Sequence, residues 1–238
     1  MKKNIAIVGG SSDIAIATVN HISKEKYNFF ALIREQDKSS ELSDLGVDVT
    51  IGDATSEEDI KNFVTSVKDS GEIHGVLHCV GSFAVRPPHA MNKEAFESVI
   101  STNLTSAFLT LSIAGKAMLS QGHGRMVFMS SVAGSLGLVN HEAISAAKGG
   151  VESMVRSAAA TYANRGIRIN AVAPGLTDTK LASPIISNET ASQAASQKIP
   201  IKRVGQKEEV ANVIKWLLTE APENFTGQIL HTDGGMSN

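Results

Sequence analysis

Cysteine is almost absent: the 238-residue chain has one, Cys79. A single cysteine forms no internal disulfide, so a disulfide-held scaffold is excluded and a reducing compartment fits. A dominant charge of either sign is missing too. Lys and Arg total 22 against 24 Asp and Glu, a formal net charge of −2. That balance lacks the basic footprint of a nucleic-acid-binding protein. Long apolar runs are also lacking, and none reaches the roughly 18 residues of a membrane span. The start, Met1-Lys2-Lys3 followed by Asn4–Val8, is basic, but its apolar stretch is too short for a signal peptide. Aromatic residues are only 5%, with one Trp and two Tyr, Tyr27 and Tyr162. The histidines and Cys79 show no metal-ligand spacing, so no metal is expected. These absences leave a globular protein, expected in the cytoplasm, with neither nucleic acid nor membrane as a partner.

What the chain does have is alternation. Apolar residues make up 42% and charged residues 19%. Short runs at Asn4–Val8, Asn28–Ile33, Val47–Ile51, Gly75–Val80, Gly124–Ser130, Ile167–Ala173 and Gln228–His231 are nearly continuous in apolar residues. Such runs suit parallel strands covered on both faces. Between them, amphipathic stretches predict helices over Asp13–Ser23, Ser56–Asp69, Lys93–Ser120, Glu142–Asn164 and Lys207–Leu218. Tyr27 falls near the end of the first of these. Strand–helix alternation over the whole length implies a doubly wound α/β fold with about seven parallel strands and helices on both faces. No linker or repeat marks a boundary, so residues 1–238 read as one domain. Thr177–Ile199 departs from the pattern: it is polar, rich in Ser, Ala, Asn and Gln, and long for a connection. That combination marks a substrate lid or binding loop.

In an open parallel sheet, ligands bind beyond the carboxyl ends of the strands, where strand order reverses. The first strand runs into Val8-Gly9-Gly10-Ser11-Ser12-Asp13-Ile14-Ala15. Glycine there permits a tight turn and lets a pyrophosphate approach backbone N–H groups at a helix N-terminus. Further segments follow in order: Asp53-Ala54, His78-Cys79-Val80-Gly81, Pro174-Gly175-Leu176-Thr177-Asp178-Thr179, and Gly227-Gln228 to Asp233-Gly234-Gly235.

From the first strand to the C-terminus, this ordered set resembles the short-chain dehydrogenase/reductase family, in particular its ketoacyl reductase-like members. The resemblance implies a Rossmann-type fold, dinucleotide binding and a homodimer or homotetramer. Gly9 matches the first glycine of the family's Thr-Gly-x-x-x-Gly-x-Gly turn, while Asp13 and Ala15 replace the other two. Asp13 is expected to reach a ribose hydroxyl or to cap the helix. Ser11, Ser12 and Ile14 complete the turn. Asp53 resembles the adenine-contacting aspartate, with Ala54 beside it, and Val80 and Gly81 stand in the place of the family's Asn-Asn-Ala-Gly ending. Pro174, Gly175, Thr177 and Thr179 resemble the segment that holds the nicotinamide carboxamide and a phosphate.

The second strand ends Ile33-Arg34. A carboxylate at that end would grip the ribose hydroxyls of NAD; Ile33 has none, and Arg34 can bind a 2′-phosphate bidentately. NADP is therefore the first choice and NAD the second, with Asp13 and Glu35 placing opposing negative charge nearby.

Ketone–alcohol interconversion needs a hydride carrier and a group that trades a proton with the substrate oxygen. The resemblance assigns Asn103 to a water relay, Ser131 to the substrate oxygen, and Lys148 to the nicotinamide ribose. The proton-trading tyrosine of the family belongs thirteen residues after Ser131 and four before Lys148, and that position is Ile144. An aliphatic chain neither donates nor accepts a proton. Three readings stay open. His141, three residues before Ile144 and on the same helix face, carries an imidazole, a common proton-trading group, and is a candidate donor. Alternatively Lys148, Ser131 and water supply the proton. Otherwise the protein binds nucleotide without turnover, as a sensor or partner subunit. The first two make it an oxidoreductase of a small carbonyl or alcohol. His78 is expected to point toward the cofactor or to satisfy strand-end backbone groups.

Overall fold

Period-two alternation along the strands sets the layers of this fold. The computed structural model describes residues 2–238. Strand β1 (Lys3–Val8) sends Ile5 and Ile7 to one face and Ala6 and Val8 to the other. Helix α1 (Asp13–His21) leads to β2 (Tyr27–Ile33), which repeats the split: Phe29, Ala31 and Ile33 on one side, Phe30 and Leu32 on the other. A short helix α2 (Ser39–Asp44) precedes β3 (Val47–Ile51), and α3 (Glu57–Asp69) leads to β4 (Ile73–His78). Helix α4 (Lys93–Ile100) passes through a π-helical turn at Ser101–Thr105 into α5 (Ser106–Gln121). Then come β5 (Gly124–Met129), α6 (Glu142–Tyr162) and β6 (Ile167–Pro174). Strand β7 (Thr177–Asp178), α7 (Ser183–Ile186), α8 (Glu189–Lys198) and β8 (Gly205–Gln206) follow, before α9 (Lys207–Thr219) and β9 (Ile229–Thr232).

Seven strands form one parallel sheet in the order β3-β2-β1-β4-β5-β6-β9, and β7 pairs with β8 separately. Helices α1 and α9 cover one face through Val19, Val210, Ile214 and Leu217; α3, α5 and α6 cover the other through Phe63, Val67, Met118, Val151 and Val155. The expected fold is thus the observed one. Local chemistry agrees with it. Ser56 caps α3 by accepting from Asp59 N, and Gln206 and Glu209 form a reciprocal box at the start of α9. The helical stretch Lys93–Gln121 is long and apolar enough to cross a membrane by length and composition alone. Its Ala107, Leu111, Ala114 and Met118 pack in the core layer, as in the central helix of a globular protein.

Three sequence expectations need correction. Tyr27 opens β2 and packs in the core, because the preceding helix stops at His21. The Lys93–Ser120 helix is interrupted by its π-helical turn. The segment from Thr177 to Ile199 is not a structureless loop: it carries β7, α7 and α8, with α8 capped by Asn188. Its alanines and glutamines are good helix formers, which its overall polarity concealed.

Phe63 is fully buried between α3 and the sheet. Phe63→Ala is expected to cost about 3–5 kcal/mol of stability, read as a lowered urea midpoint with the slope unchanged.

Candidate active site

Strand order reverses between β1 and β4, and their carboxyl ends lie side by side: Cys79 N donates to Val8 O at 2.8 Å. The glycine turn crosses this point. Gly9 has φ +83°, and a Cβ there would sit 2.8 Å from Val80 Cγ2 and 2.9 Å from the Cys79 carbonyl carbon. Only glycine fits both the backbone conformation and the space. Ser12 is the N-cap of α1: its Oγ accepts from Ala15 N at 3.1 Å and lies 3.0 Å from Cys79 Sγ. That hydroxyl is engaged within the turn, while Ser11 and Ile14 are half-buried at its rim. Asp13 does not cap the helix. Its Oδ2 accepts from the backbone N of Lys180 at 2.6 Å, joining the turn to the segment after β7.

At the far end of β2, Arg34 is exposed, with Glu35 at 3.6 Å and Lys38 holding Glu35 from the other side at 2.9 Å. Asp53 faces the same end. Thr55 donates to its Oδ1 through both N and Oγ1, each at 2.8 Å. Those bonds hold the carboxyl below its ordinary range, and the nearby Arg34 charge acts in the same direction. Ala54 is half-buried beside it. On the other flank, Pro174 ends β6 and Gly175 N donates to Thr232 O at 3.2 Å. Thr177 Oγ1 donates to Gly175 O at 3.1 Å, and Thr179 Oγ1 accepts from Ala182 N at 3.3 Å. A turn that only glycine fits, a helix N-terminus, an exposed Arg and hydroxyl-bearing strand ends together fit a phosphate-bearing dinucleotide.

Between these flanks lies Lys148 on α6. It is buried, and its Nζ donates to Met129 O at 2.9 Å. Burial pushes its pKa down to about 8. Gly81 lies between this ammonium and Asn103: a Cβ on it would be 3.4 Å from Asn103 Oδ1 and 3.8 Å from Lys148 Nζ. Asn103 sits on the π-helical turn, which swings its side chain toward β4. Its Nδ2 donates to Ser82 Oγ at 2.8 Å and Val99 O at 3.0 Å, and its Oδ1 accepts from Ser82 N at 3.2 Å. Ser131 follows β5, half-buried, its Oγ accepting from Ala133 N at 3.2 Å. Ile144 is 8% exposed and packs with Val99, Ala133, Ala143 and Ala147. No proton donor occupies that position. His141 lies at the N-cap of α6, and its Nδ1 is 2.8 Å from Val139 O. Among the described residues, its ring makes no hydrogen bond to Ser131 or Lys148.

A family model described as enoyl-(acyl carrier protein) reductase matches residues 9–237. The 3-oxoacyl-[acyl-carrier-protein] reductase MabA of Mycobacterium tuberculosis is 31% identical over 236 residues, 99% of this chain and 93% of its own length. The chain belongs to the short-chain dehydrogenase/reductase family. As a short-chain dehydrogenase/reductase, it is an oxidoreductase. Glucose 1-dehydrogenase of Gluconobacter oxydans is 32% identical over 245 residues, covering 99% of this chain and 92% of that protein. Among solved structures, a variant of actinorhodin polyketide ketoreductase with NADPH superposes with a TM-score of 0.94 at 27% identity, covering 100% of this chain and 98% of that one. ElxO with NADP bound gives a TM-score of 0.92 at 27% identity, with 99% of each chain covered.

Sequence reasoning missed one participant, Ser82, and named another, His78, without finding its partner. Ser82, one residue past Gly81, fixes the Asn103 amide from two sides. His78 does not point toward the cofactor side: it is buried, and its Nε2 lies 3.0 Å from Ser106 Oγ, which donates to Thr102 O at 2.6 Å. Since that hydroxyl proton is committed to Thr102, His78 Nε2 carries the hydrogen and donates. The chain of bonds ties the end of β4 to the π-helical turn bearing Asn103. Neither bond carries a sequence signal, since each joins positions more than twenty apart.

Burial, reinforced by the Lys148 charge, pushes the His78 pKa down to about 3. The unfolded chain takes up a proton there below about pH 6.5, and the folded chain refuses it until about pH 3. His78 therefore adds a loss of stability as pH falls through that window. Urea midpoints measured from pH 7 to pH 4 should fall less steeply in His78→Asn than in the wild type.

Proposed function

We propose that this protein is an NADP(H)-dependent oxidoreductase of a small carbonyl compound or its alcohol, with Lys148 in place of the missing tyrosine as the proton-trading group. The observation that carries the reading is the position of Lys148: buried one helical turn beyond Ile144, across Gly81 from Asn103, with a pKa lowered to about 8. A donor works best when its pKa lies near the working pH. The bound dinucleotide would supply hydride to the carbonyl carbon. Ser131 Oγ orients the substrate oxygen, and the Lys148 ammonium gives that oxygen its proton. The neutral amine left behind is reprotonated from solvent past Asn103, whose orientation Ser82 holds. Oxidation of the alcohol reverses these transfers and needs Lys148 as the free amine.

Support for NADP over NAD comes from Ile33 and exposed Arg34 at the end of β2, and from the NADP-bound state of similar structures. Gly9, Ser11, Asp13 and Ile14 would line the pyrophosphate, Asp53 and Ala54 the adenine, and Val80, Gly81, Pro174, Gly175, Thr177 and Thr179 the nicotinamide half. Ser12 contributes by capping α1. Residues 1–238 act as one domain, with the helical segment from Thr177 to Ile199 covering the substrate. Exposed Phe96, Phe108 and Leu119 along α4 and α5 support self-association into a homodimer or homotetramer.

The Lys148 reading fixes the sign of the pH dependence. Carbonyl reduction, followed as NADPH absorbance, should hold level up to about pH 8 and then fall about tenfold per pH unit, while alcohol oxidation rises toward the same point. His141→Ala should leave reduction within about twofold. If reduction is abolished with NADPH affinity intact, the donor is His141; if no carbonyl oxidises bound NADPH, the protein is a nucleotide-binding relative without turnover.

Arg34→Leu should weaken NADPH binding about tenfold and leave NADH unchanged, an effect within reach of one lost charge-assisted contact. Tryptophan-to-nicotinamide energy transfer reads both affinities.

A further inference from the structure

The glycine turn carries an acid where it should repel its ligand. Asp13 opens α1, at the N-terminus that a pyrophosphate would approach, and its side chain is 11% exposed. A covered carboxylate beside a dianionic pyrophosphate is unfavourable unless positive charge offsets it. The helix N-terminus supplies part of that offset. Lys180 brings a second positive charge to it. Its backbone N donates to Asp13 Oδ2 at 2.6 Å, and its Nζ lies 3.9 Å from Asp13 Oδ1.

The two halves of this contact differ in kind. The amide bond is short, and it fixes where the chain leaves β7: Lys180 begins the turn Lys180–Ala182, whose far end is held by Thr179 Oγ1 accepting from Ala182 N. By contrast the Lys180 side chain is 78% exposed and its ammonium only loosely paired. An exposed pair at that distance is worth little, so the ammonium is free to turn to a stronger anion. Asp13 thereby places a mobile cation beside the turn, directly after the Thr177–Thr179 stretch.

We propose that Lys180 is a phosphate-contacting residue of the dinucleotide site, anchored over the glycine turn by the Asp13 carboxylate. The assignment rests on the dinucleotide reading above. When the pyrophosphate arrives, the ammonium leaves Asp13 and joins a phosphate oxygen, while the amide bond keeps the backbone in place. The substitution of Asp for glycine in the turn is then compensated at Lys180, 167 residues away.

The test is the NADPH dissociation constant, measured by calorimetry across a salt series, for the wild type, K180M, D13N and the double variant. Asn at position 13 removes the charge but retains an oxygen for the Lys180 amide. K180M should raise the constant about tenfold in both backgrounds and flatten its salt dependence, since one phosphate-pairing cation is gone. An effect of K180M that vanishes in D13N would mean that Lys180 only neutralises Asp13, and overturns the assignment. So does a K180M constant within twofold of the wild type. Failure of the wild type to bind NADPH overturns the dinucleotide reading itself, which keeps the two failures apart. Lys180 is exposed, so K180M should melt at the wild-type temperature.

Discussion

The meeting of β1 and β4 is the contact on which the rest depends. Parallel pairing puts Val8 and His78 in register, and the next residues on each strand, Gly9 and Cys79, must pass each other within van der Waals contact. A missing Cβ at Gly9 makes that passage possible. It also opens the crevice, because the chain turns one way to reach β2 and the other way, after β4, to reach β5. Arg34, Asp53, Gly81, Ser131 and Pro174 all come to this rim as residues that end or follow neighbouring strands.

Desolvation sets the chemistry of the rim. Lys148 and His78 are both buried, both are bases, and both lose proton affinity for the same reason: the charged form is deprived of water. Their outcomes differ. The lysine falls into the range where it can trade a proton near neutral pH, while the histidine falls far below it and is fixed as a neutral hydrogen-bond donor to Ser106. Cys79, buried beside them, is pushed up to about 11 and stays a thiol. One low-dielectric pocket thus makes a candidate acid, a structural pin and an inert packing residue from three titratable groups.

Ile144, where the family resemblance leads one to expect a tyrosine, suits this arrangement. Isoleucine, on the same helix as buried Lys148, joins a buried apolar cluster with Val99, Ala133 and Ala147. A hydroxyl in that cluster would need a partner, and an aliphatic chain needs none.

The alternation of the seven sheet strands with their main helices, and the glycine turn, were legible along the chain, because they follow from local apolar runs and from the steric freedom of single residues. The spacing of Ser131, Ile144 and Lys148 put an isoleucine where the family resemblance leads one to expect a tyrosine. Helices α7 and α8 were obscured by the polarity of their segment, and the π-helical turn at Ser101–Thr105 by the continuous apolar pattern around it. Three facts were decided only by tertiary structure: the bond from His78 to Ser106, the grip of Ser82 on Asn103, and the reach of Asp13 to Lys180. Each joins residues far apart in sequence, and each depends on burial or on the approach of two separate elements. Local pattern registers neither: a residue's type states what it can bond, and only the packed chain states what lies within reach.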